Sequence, residues 1–318
     1  MNIKNKIFNE DCLEGIKKIP NDAFDIIICD PPYNIGKNFG NDSDKQNHAD
    51  YIEWVKLWLL ECQRVIKRTG TIFIYGFDEI LAYISVLLPM EQQRWIIWHY
   101  TNKNVPSLNF WQRSHESIIC YWRDKPIFNR DAVRVPYTDG FLKGSAGRIR
   151  PLSKTARFGG EKQTVYEANP NGALPRDVIC ESTLAGGAAL KERIIYSKSK
   201  DCIIDPKQRT QYDERDLIMH PTQKPLELTD KLIKSCRPAS DFNVLIPFCG
   251  SGSECIAVLQ NEGNFTAFEI NPEYILLASK NVEKYQKDGK TVMQYSYENA
   301  KIKRHTRRHI CRSNYIYQ

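Results

Sequence analysis

Phe24-Asp25-Ile26-Ile27-Ile28-Cys29-Asp30-Pro31-Pro32-Tyr33 is the stretch on which the reading of this chain turns. Ile26 to Cys29 form an uninterrupted apolar run, the pattern of a strand buried on both faces in a parallel sheet. A Pro-Pro pair cannot continue a hydrogen-bonded ladder, so the strand ends at Asp30. Asp30 therefore stands at the carboxyl end of a strand, the edge of an open α/β sheet along which ligands bind. The two prolines fix φ and restrict the residue before each of them, which sets the carbonyls of Asp30 and Pro31 before any ligand arrives. A carboxylate, a fixed carbonyl and the aromatic face of Tyr33 converge on one point. That combination suits a flat ring carrying an exocyclic amine. An Asp-Pro turn opener with no further role is the competing reading, and support from elsewhere in the chain decides between them.

Such support comes from Phe242 to Leu259, which reads strand, glycine-rich turn, helix around Pro247-Phe248-Cys249-Gly250-Ser251-Gly252-Ser253. Small residues let a ligand approach the backbone, and a helix opening near Ser253 offers unpaired N–H groups at the positive end of its dipole. Glu269 follows Gly250 by nineteen positions, at the end of the short apolar run Phe265 to Phe268. This is the spacing at which a carboxylate receives a ribose diol. The third glycine of the dinucleotide fingerprint is missing. A nicotinamide cofactor is therefore disfavoured, and an adenosine-bearing ligand without a pyrophosphate remains open.

Together these residues resemble the DNA amino-methyltransferases, which methylate adenine N6 or cytosine N4 with S-adenosyl-L-methionine. The order is that of the β-group, catalytic motif first and cofactor motif last. Asn9-Glu10-Asp11-Cys12-Leu13-Glu14-Gly15-Ile16 is similar to the acidic segment that reaches the cofactor adenine. His220-Pro221-Thr222-Gln223-Lys224-Pro225 resembles the helix entry beside the methionine end, and Glu269-Ile270-Asn271-Pro272-Glu273-Tyr274 the acid-and-helix segment. The resemblance implies a Rossmann-like α/β methyltransferase fold with a mainly parallel sheet, permuted motif order and an inserted target-recognition lobe. It implies catalytic roles for Asp30, Pro31, Pro32 and Tyr33. It places Asp11, Cys12, Asp30, Thr222, Lys224, Pro247 to Ser253 and Glu269 at the cofactor. An acid at position 30 leans toward adenine N6, because cytosine-N4 enzymes more often carry Ser there.

One position departs from the family. An acid usually precedes the Pro-Phe of the cofactor turn and helps hold the cofactor's ammonium group, and here Ile246 stands in its place. Restoring an acid at 246 is expected to tighten cofactor binding if that need is unmet. Glu254 is a substitute by position, though a first-turn helix acid that favours the dipole is the simpler reading.

The chemistry expected of this family starts with extrusion of the target base, at a cost of roughly a few kcal/mol for unstacking. Tyr33 then offers a stacking face, while Asp30 and the Pro31 carbonyl accept the two amino hydrogens. An aromatic amine is a poor nucleophile, so acceptors that stabilise charge developing on nitrogen act selectively on the transition state. No Pro-Cys pair occurs, as a cytosine-C5 enzyme would require. RNA and protein amino-methyltransferases share this chemistry but typically carry Asn at the leading position. A DNA-binding relative that has lost catalysis is the remaining alternative, suggested only by Ile246.

Organisation follows the motifs, with residues 1–123 as the catalytic half, 124–219 as the recognition lobe, 220–300 as the cofactor half and 301–318 as a basic tail. Apolar positions at Ile52, Val55, Leu59, Cys62 and Ile66 predict an amphipathic helix over 51–68, ending near Thr69-Gly70. Thr71 to Tyr75, Arg94 to Tyr100 and Ile118 to Trp122 read as strands. The polar stretch Asn34 to Asp50 reads as a mobile lid. Residues 123–219 carry eighteen Lys/Arg against thirteen Asp/Glu, and from Lys301 on there are six Lys/Arg and no acid. Arg148, Arg150, Lys154 and Arg157 are the residues expected on DNA, near Tyr137, Phe141 and Phe158.

At 318 residues and 42% hydrophobic, the chain can bury one substantial core with a smaller lobe. A net charge of +7 agrees with double-stranded DNA as partner. A cognate restriction endonuclease and a homodimer stay open. The ten cysteines form no Cys-x-x-Cys or zinc pattern and read as reduced thiols. No apolar run is long enough to cross a bilayer, so no membrane role and a cytoplasmic location are expected.

Overall fold

The computed structural model describes residues 3–39, 44–102, 106–150, 164–184 and 192–289. The first half holds β1 (Lys6–Asn9), α1 (Cys12–Lys17), β2 (Phe24–Cys29), α2 (His48–Val65), β3 (Ile66–Gly76), α3 (Asp78–Ser85), β4 (Gln93–His99) and β5 (His115–Trp122). Short elements follow: α4 (Asp139–Gly144), β6 (Ile149–Arg150), β7 (Thr164–Val165), β8 (Val178–Cys180), β9 (Tyr196–Ser197), β10 (Cys202–Ile203) and β11 (Leu217–Ile218). The last part comprises α5 (Leu226–Cys236), β12 (Asn243–Ile246), α6 (Ser253–Gln260), β13 (Asn264–Glu269) and α7 (Pro272–Asp288).

Eight strands form one sheet in the order β1-β13-β12-β2-β3-β5-β4-β8. Pairing is parallel from β1 through β3 and again between β4 and β8, while β5 runs antiparallel to both its neighbours. Apolar residues of β2 alternate between two covered faces, which is why the run Ile26 to Cys29 has no polar position. Ile26 and Ile28 join Phe73, Tyr75, Val244 and Ile246 in the core beneath α5, α6 and α7. Ile27 and Cys29 join Ile72, Ile74 and Leu245 in the core beneath α1, α2 and α3. The result is a mainly parallel α/β sandwich of the Rossmann-like kind, as expected.

The boundary between α2 and β3 differs from the sequence reading. The helix begins at His48, capped by the Asn47 side chain, which accepts from the Ala49 N–H at 2.9 Å, and ends at Val65. Ile66 is already extended and pairs with Phe24, because Lys67 reaches both carboxylate oxygens of Asp25, at 2.8 and 2.9 Å. A buried carboxylate on β2 thus recruits residues whose apolar spacing alone would continue the helix.

The described strands and the α-helix of segment 124–219 fall in three places. Val178 to Cys180 form the edge strand β8 beside β4. The small sheet β10-β9-β11 packs Ile194, Tyr196, Ile203 and Ile218 against Tyr274 and Leu277 of α7. Between them, α4 and the β6-β7 pair carry Tyr137 stacked on Phe141, with ring centroids 4.6 Å apart. Among the described residues, no helix is long and apolar enough to cross a membrane.

Candidate active site

The sheet order brings the carboxyl ends of β2 and β12 side by side, with Val244 opposite Ile26 and Leu245 opposite Ile27. Asp30 leaves one strand and Pro247 the other. Tyr33 Oη donates to Asp30 Oδ1 at 2.8 Å and lies 3.3 Å from Glu116 Oε2. Lys224 Nζ reaches the same Asp30 oxygen at 2.8 Å, with Glu116 Oε2 at 3.8 Å. Its ammonium also faces the rings of Tyr33 and Tyr75, 5.2 and 5.4 Å from their centroids. Burial alone would lower the Lys224 ammonium, but the Asp30 and Glu116 carboxylates outweigh it and hold it above the usual lysine value. Burial pushes the Glu116 carboxyl up, opposed by Lys224. The tyrosine ring is packed edge-on against Phe77, 5.2 Å between centroids.

On the β12 side, Gly250 and Gly252 take φ of 50° and 75°, the left-handed region that favours glycine. A Cβ on Gly252 would come within 3.0 Å of Ala278 Cβ, and one on Gly250 within 3.0 Å of His220 Nε2. The turn is bound to Glu269, whose Oε2 accepts from Gly250 N–H at 2.8 Å and whose Oε1 accepts from Asn271 N–H at 2.9 Å. Both oxygens are thereby aimed, with lone pairs left for a diol. Burial raises the Glu269 carboxyl, against those backbone donors.

A cavity of about 300 Å³ joins the two sides. Asp11, Cys12, Asp30, Thr222, Lys224, Pro247, Phe248, Cys249, Gly250, Ser251, Ser253 and Glu269 line it, with Pro31, Pro32 and Tyr33. Gly252 stands behind the wall, against Ala278. Asp11 also caps α1, accepting from Leu13 N–H at 2.8 Å. The loop after the Asp-Pro-Pro-Tyr turn contributes Ile35, Lys37, Phe39, Asp44 and Gln46. Its ends are tied together, since Asp44 accepts the N–H groups of Asn34 at 2.6 Å and Lys37 at 2.7 Å.

Two groups escaped the sequence reading. Glu116 is the second residue of β5, whose antiparallel course returns it to the sheet edge that carries Asp30, and only a correct pairing of β5 with β3 would have revealed it. His220 was part of a recognised motif without a role of its own. Its Nδ1 is buried without a hydrogen-bond partner among the described residues, and its ring lies between Phe39 and Tyr274. Burial, with Lys224 next, pushes this imidazole down to about 3. An orphaned polar atom beside a glycine turn and a carboxylate pair fits a polar ligand such as S-adenosyl-L-methionine.

Ile246 does not line the cavity and is fully buried in the apolar core. Glu254 does line it. Glu254 is 4% exposed and its carboxylate accepts from the Ser253 hydroxyl at 2.8 Å, so it is no surface acid of the first helical turn. Of the residues expected on DNA, Arg148 is exposed at the start of β6, and Arg150 lies on β6. Lys154 and Arg157 lie outside the described residues.

A parallel sheet with a glycine turn and an acid on one strand pair and Asp-Pro-Pro-Tyr on the next defines a methyltransferase-type α/β enzyme. The chain belongs to the DNA methylase family of adenine-N6 and cytosine-N4 enzymes, whose model matches residues 24–281. It is 26% identical over 286 residues to the type II methyltransferase M.HpaI of Haemophilus parainfluenzae, covering 87% of this chain and 74% of that one. It is 27% identical over 285 residues to the DNA adenine methyltransferase YhdJ of Escherichia coli (strain K12), covering 87% and 82%. The solved PvuII DNA methyltransferase, described as cytosine-N4-specific, shares the fold with a TM-score of 0.56 at 12% identity, covering 87% and 85%. Its cofactor, as a member of this family, is S-adenosyl-L-methionine.

Proposed function

We propose that this chain methylates the N6 amine of adenine at a defined site in double-stranded DNA. The observation that carries the reading is Asp30 at the tip of β2, its carboxylate anchored by Lys224 and Tyr33. Support comes also from the acid at position 30 and from the similarity to a relative named an adenine methyltransferase.

S-adenosyl-L-methionine supplies an electrophilic methyl group when bound. Glu269 and the turn at Gly250 would hold its ribose, and Asp11 and Cys12 its adenine end. The protein's own work is on the amine. The Asp30 carboxylate and the Pro31 carbonyl accept the two amino hydrogens, which orients the nitrogen lone pair. Lys224 and Tyr33 both bind Oδ1 and fix the carboxylate, leaving Oδ2 without a partner among the described residues. An acceptor fixed beforehand needs no reorganisation as positive charge grows on nitrogen. Arg148 and its neighbours would meet phosphates or base edges, and a cytoplasmic location follows from the same reading.

Cytosine N4 is the second reading, favoured by the fold shared with a cytosine-N4-specific enzyme. Nucleoside analysis and base-resolved sequencing of DNA from cells expressing the protein separate them. N6-methyladenine at one recurrent sequence is the expected product; N4-methylcytosine would replace the first reading by the second, and unmodified DNA would overturn both.

A further inference from the structure

The acids around the cavity all have partners in the protein, and of the two buried ones, Asp44 and Glu254, it is Glu254 that has the fewer from other residues. Glu10 is paired with Lys18, Asp11 caps a helix, and Asp44 takes backbone N–H groups of its own loop. Asp30 holds Lys224, and Glu269 holds Gly250 and Asn271. Glu254 has the Ser253 hydroxyl and its own backbone N–H, and no cation lies within 4 Å of it among the described residues. Lys224, the cation that acts on it electrostatically, is committed to Asp30.

A buried carboxylate without a counter-cation is costly unless a cation arrives with the ligand. Glu254 lies on the wall between the glycine turn bound to Glu269 and the catalytic Asp30. It sits one residue past Ser253, where the methionine part of the cofactor should lie if the ribose is at Glu269 and the methyl faces Asp30. The position that ordinarily supplies an acid, Ile246, is apolar and turned into the core. We infer that Glu254 is the acceptor for the cofactor's ammonium group, so that the acid missing from the strand end has been relocated to the first turn of α6. The inference rests on the cofactor assignment above. In the free protein, burial, and then the Asp30 carboxylate, push the Glu254 carboxyl up to about 7, as expected of an acid awaiting its cation.

Calorimetric titration of the full chain with two probes tests this: S-adenosyl-L-homocysteine, and the analogue lacking only its amino group. The wild type should bind the first roughly tenfold or more tighter, the range of a charge-assisted hydrogen bond. Glu254→Gln preserves shape and should lose about that factor for the amino-bearing probe alone, making the two probes nearly equal. Undiminished discrimination by the variant overturns the inference, as does an equal loss for both probes, which would mark Glu254 as a structural residue. Should the Gln variant fail to fold, Glu254→Asp takes its place, with a smaller loss restricted to the same probe expected and full discrimination contradicting the inference. If the wild type binds neither probe, the cofactor assignment itself has failed. If it binds both equally, only the ammonium contact is lost.

Discussion

Lys224 Nζ and Asp30 Oδ1 stand 2.8 Å apart, with the lysine side chain 4% exposed and the aspartate 13%. The carboxylate proposed to receive the target amine is one arm of a buried network that includes Glu116 and Tyr33, so substitution at either end of the pair is expected to disturb both chemistry and folding. Removing one partner of a buried pair leaves the other charge uncompensated.

Asp30→Ala is therefore expected to fail in two ways. Loss of the acceptor should cost about 3 kcal/mol or more in the chemical step, roughly a hundredfold in rate. Loss of the Lys224 partner should lower stability by about 3 kcal/mol, softened by Glu116 close by. Single-turnover kinetics with a melting curve measures both. Near-normal turnover in the folded variant would remove Asp30 from the mechanism.

Glu269→Ala should weaken S-adenosyl-L-methionine by about tenfold to a hundredfold, with little effect on DNA affinity. The structure adds a second cause, because the N–H groups of Gly250 and Asn271 also lose their acceptor. Titration of cofactor and DNA separately is the check. Unchanged cofactor affinity would rule out the ribose assignment.

Ile246→Asp is expected to destabilise the protein by about 3 kcal/mol without tightening the cofactor. The family pattern alone predicts the opposite outcome. Ile246 packs with Val244, Cys255 and Ile256, and an added carboxylate there would lose its hydration among apolar groups. A stable variant with tighter binding would refute this.

Acidification should expose His220. Its imidazole is held at about 3 in the folded protein against an ordinary value of 6.5, so its contribution is complete above pH 6.5 and is lost as pH falls toward 3. Between pH 7 and 5 the loss is on the order of 2 kcal/mol. Glu192 and Glu254, each raised to about 7, act in the other direction, their contribution being complete below pH 4.5 and lost as pH rises through 7. Comparing denaturant midpoints of wild type and His220→Gln across this range isolates the histidine. Equal slopes with pH would dismiss its role.

Arg148→Ala should weaken DNA binding across sequences and reduce the salt dependence by about one counterion if the side chain meets a phosphate. Binding isotherms at several salt concentrations give the slope. A loss confined to one base position would assign it to a base edge.

The strand ends that build the site were legible because both carry strong local punctuation, Pro31-Pro32 after one apolar run and Pro247 with the glycine turn after the other. Glu269 was legible by spacing. Pairing across the sheet was not. Nothing local to His115-Glu116 tells that β5 runs back to the catalytic edge, or that Lys224 reaches Asp30 instead of standing only beside the cofactor. Likewise, β8 is three residues long and gains its place only from the exposed edge of β4. Ile66 to Thr69 continue a helical pattern, and the ion pair of Lys67 with Asp25 overrides it.

The docking of β12 beside β2 sets a timetable for the molecule's manufacture. Asn243 N–H binds Asp25, 218 residues earlier in the chain. While the ribosome is still short of that point, β2 has an open edge and the cofactor wall does not exist. A partly made chain can thus carry the entire Asp-Pro-Pro-Tyr turn and remain inert. The long loop that must close before these strands meet makes the step slow relative to local helix formation. Methylating capacity should therefore appear only once β12 and the elements after it have been made, and a product terminated before Asn243 should have no power to mark DNA.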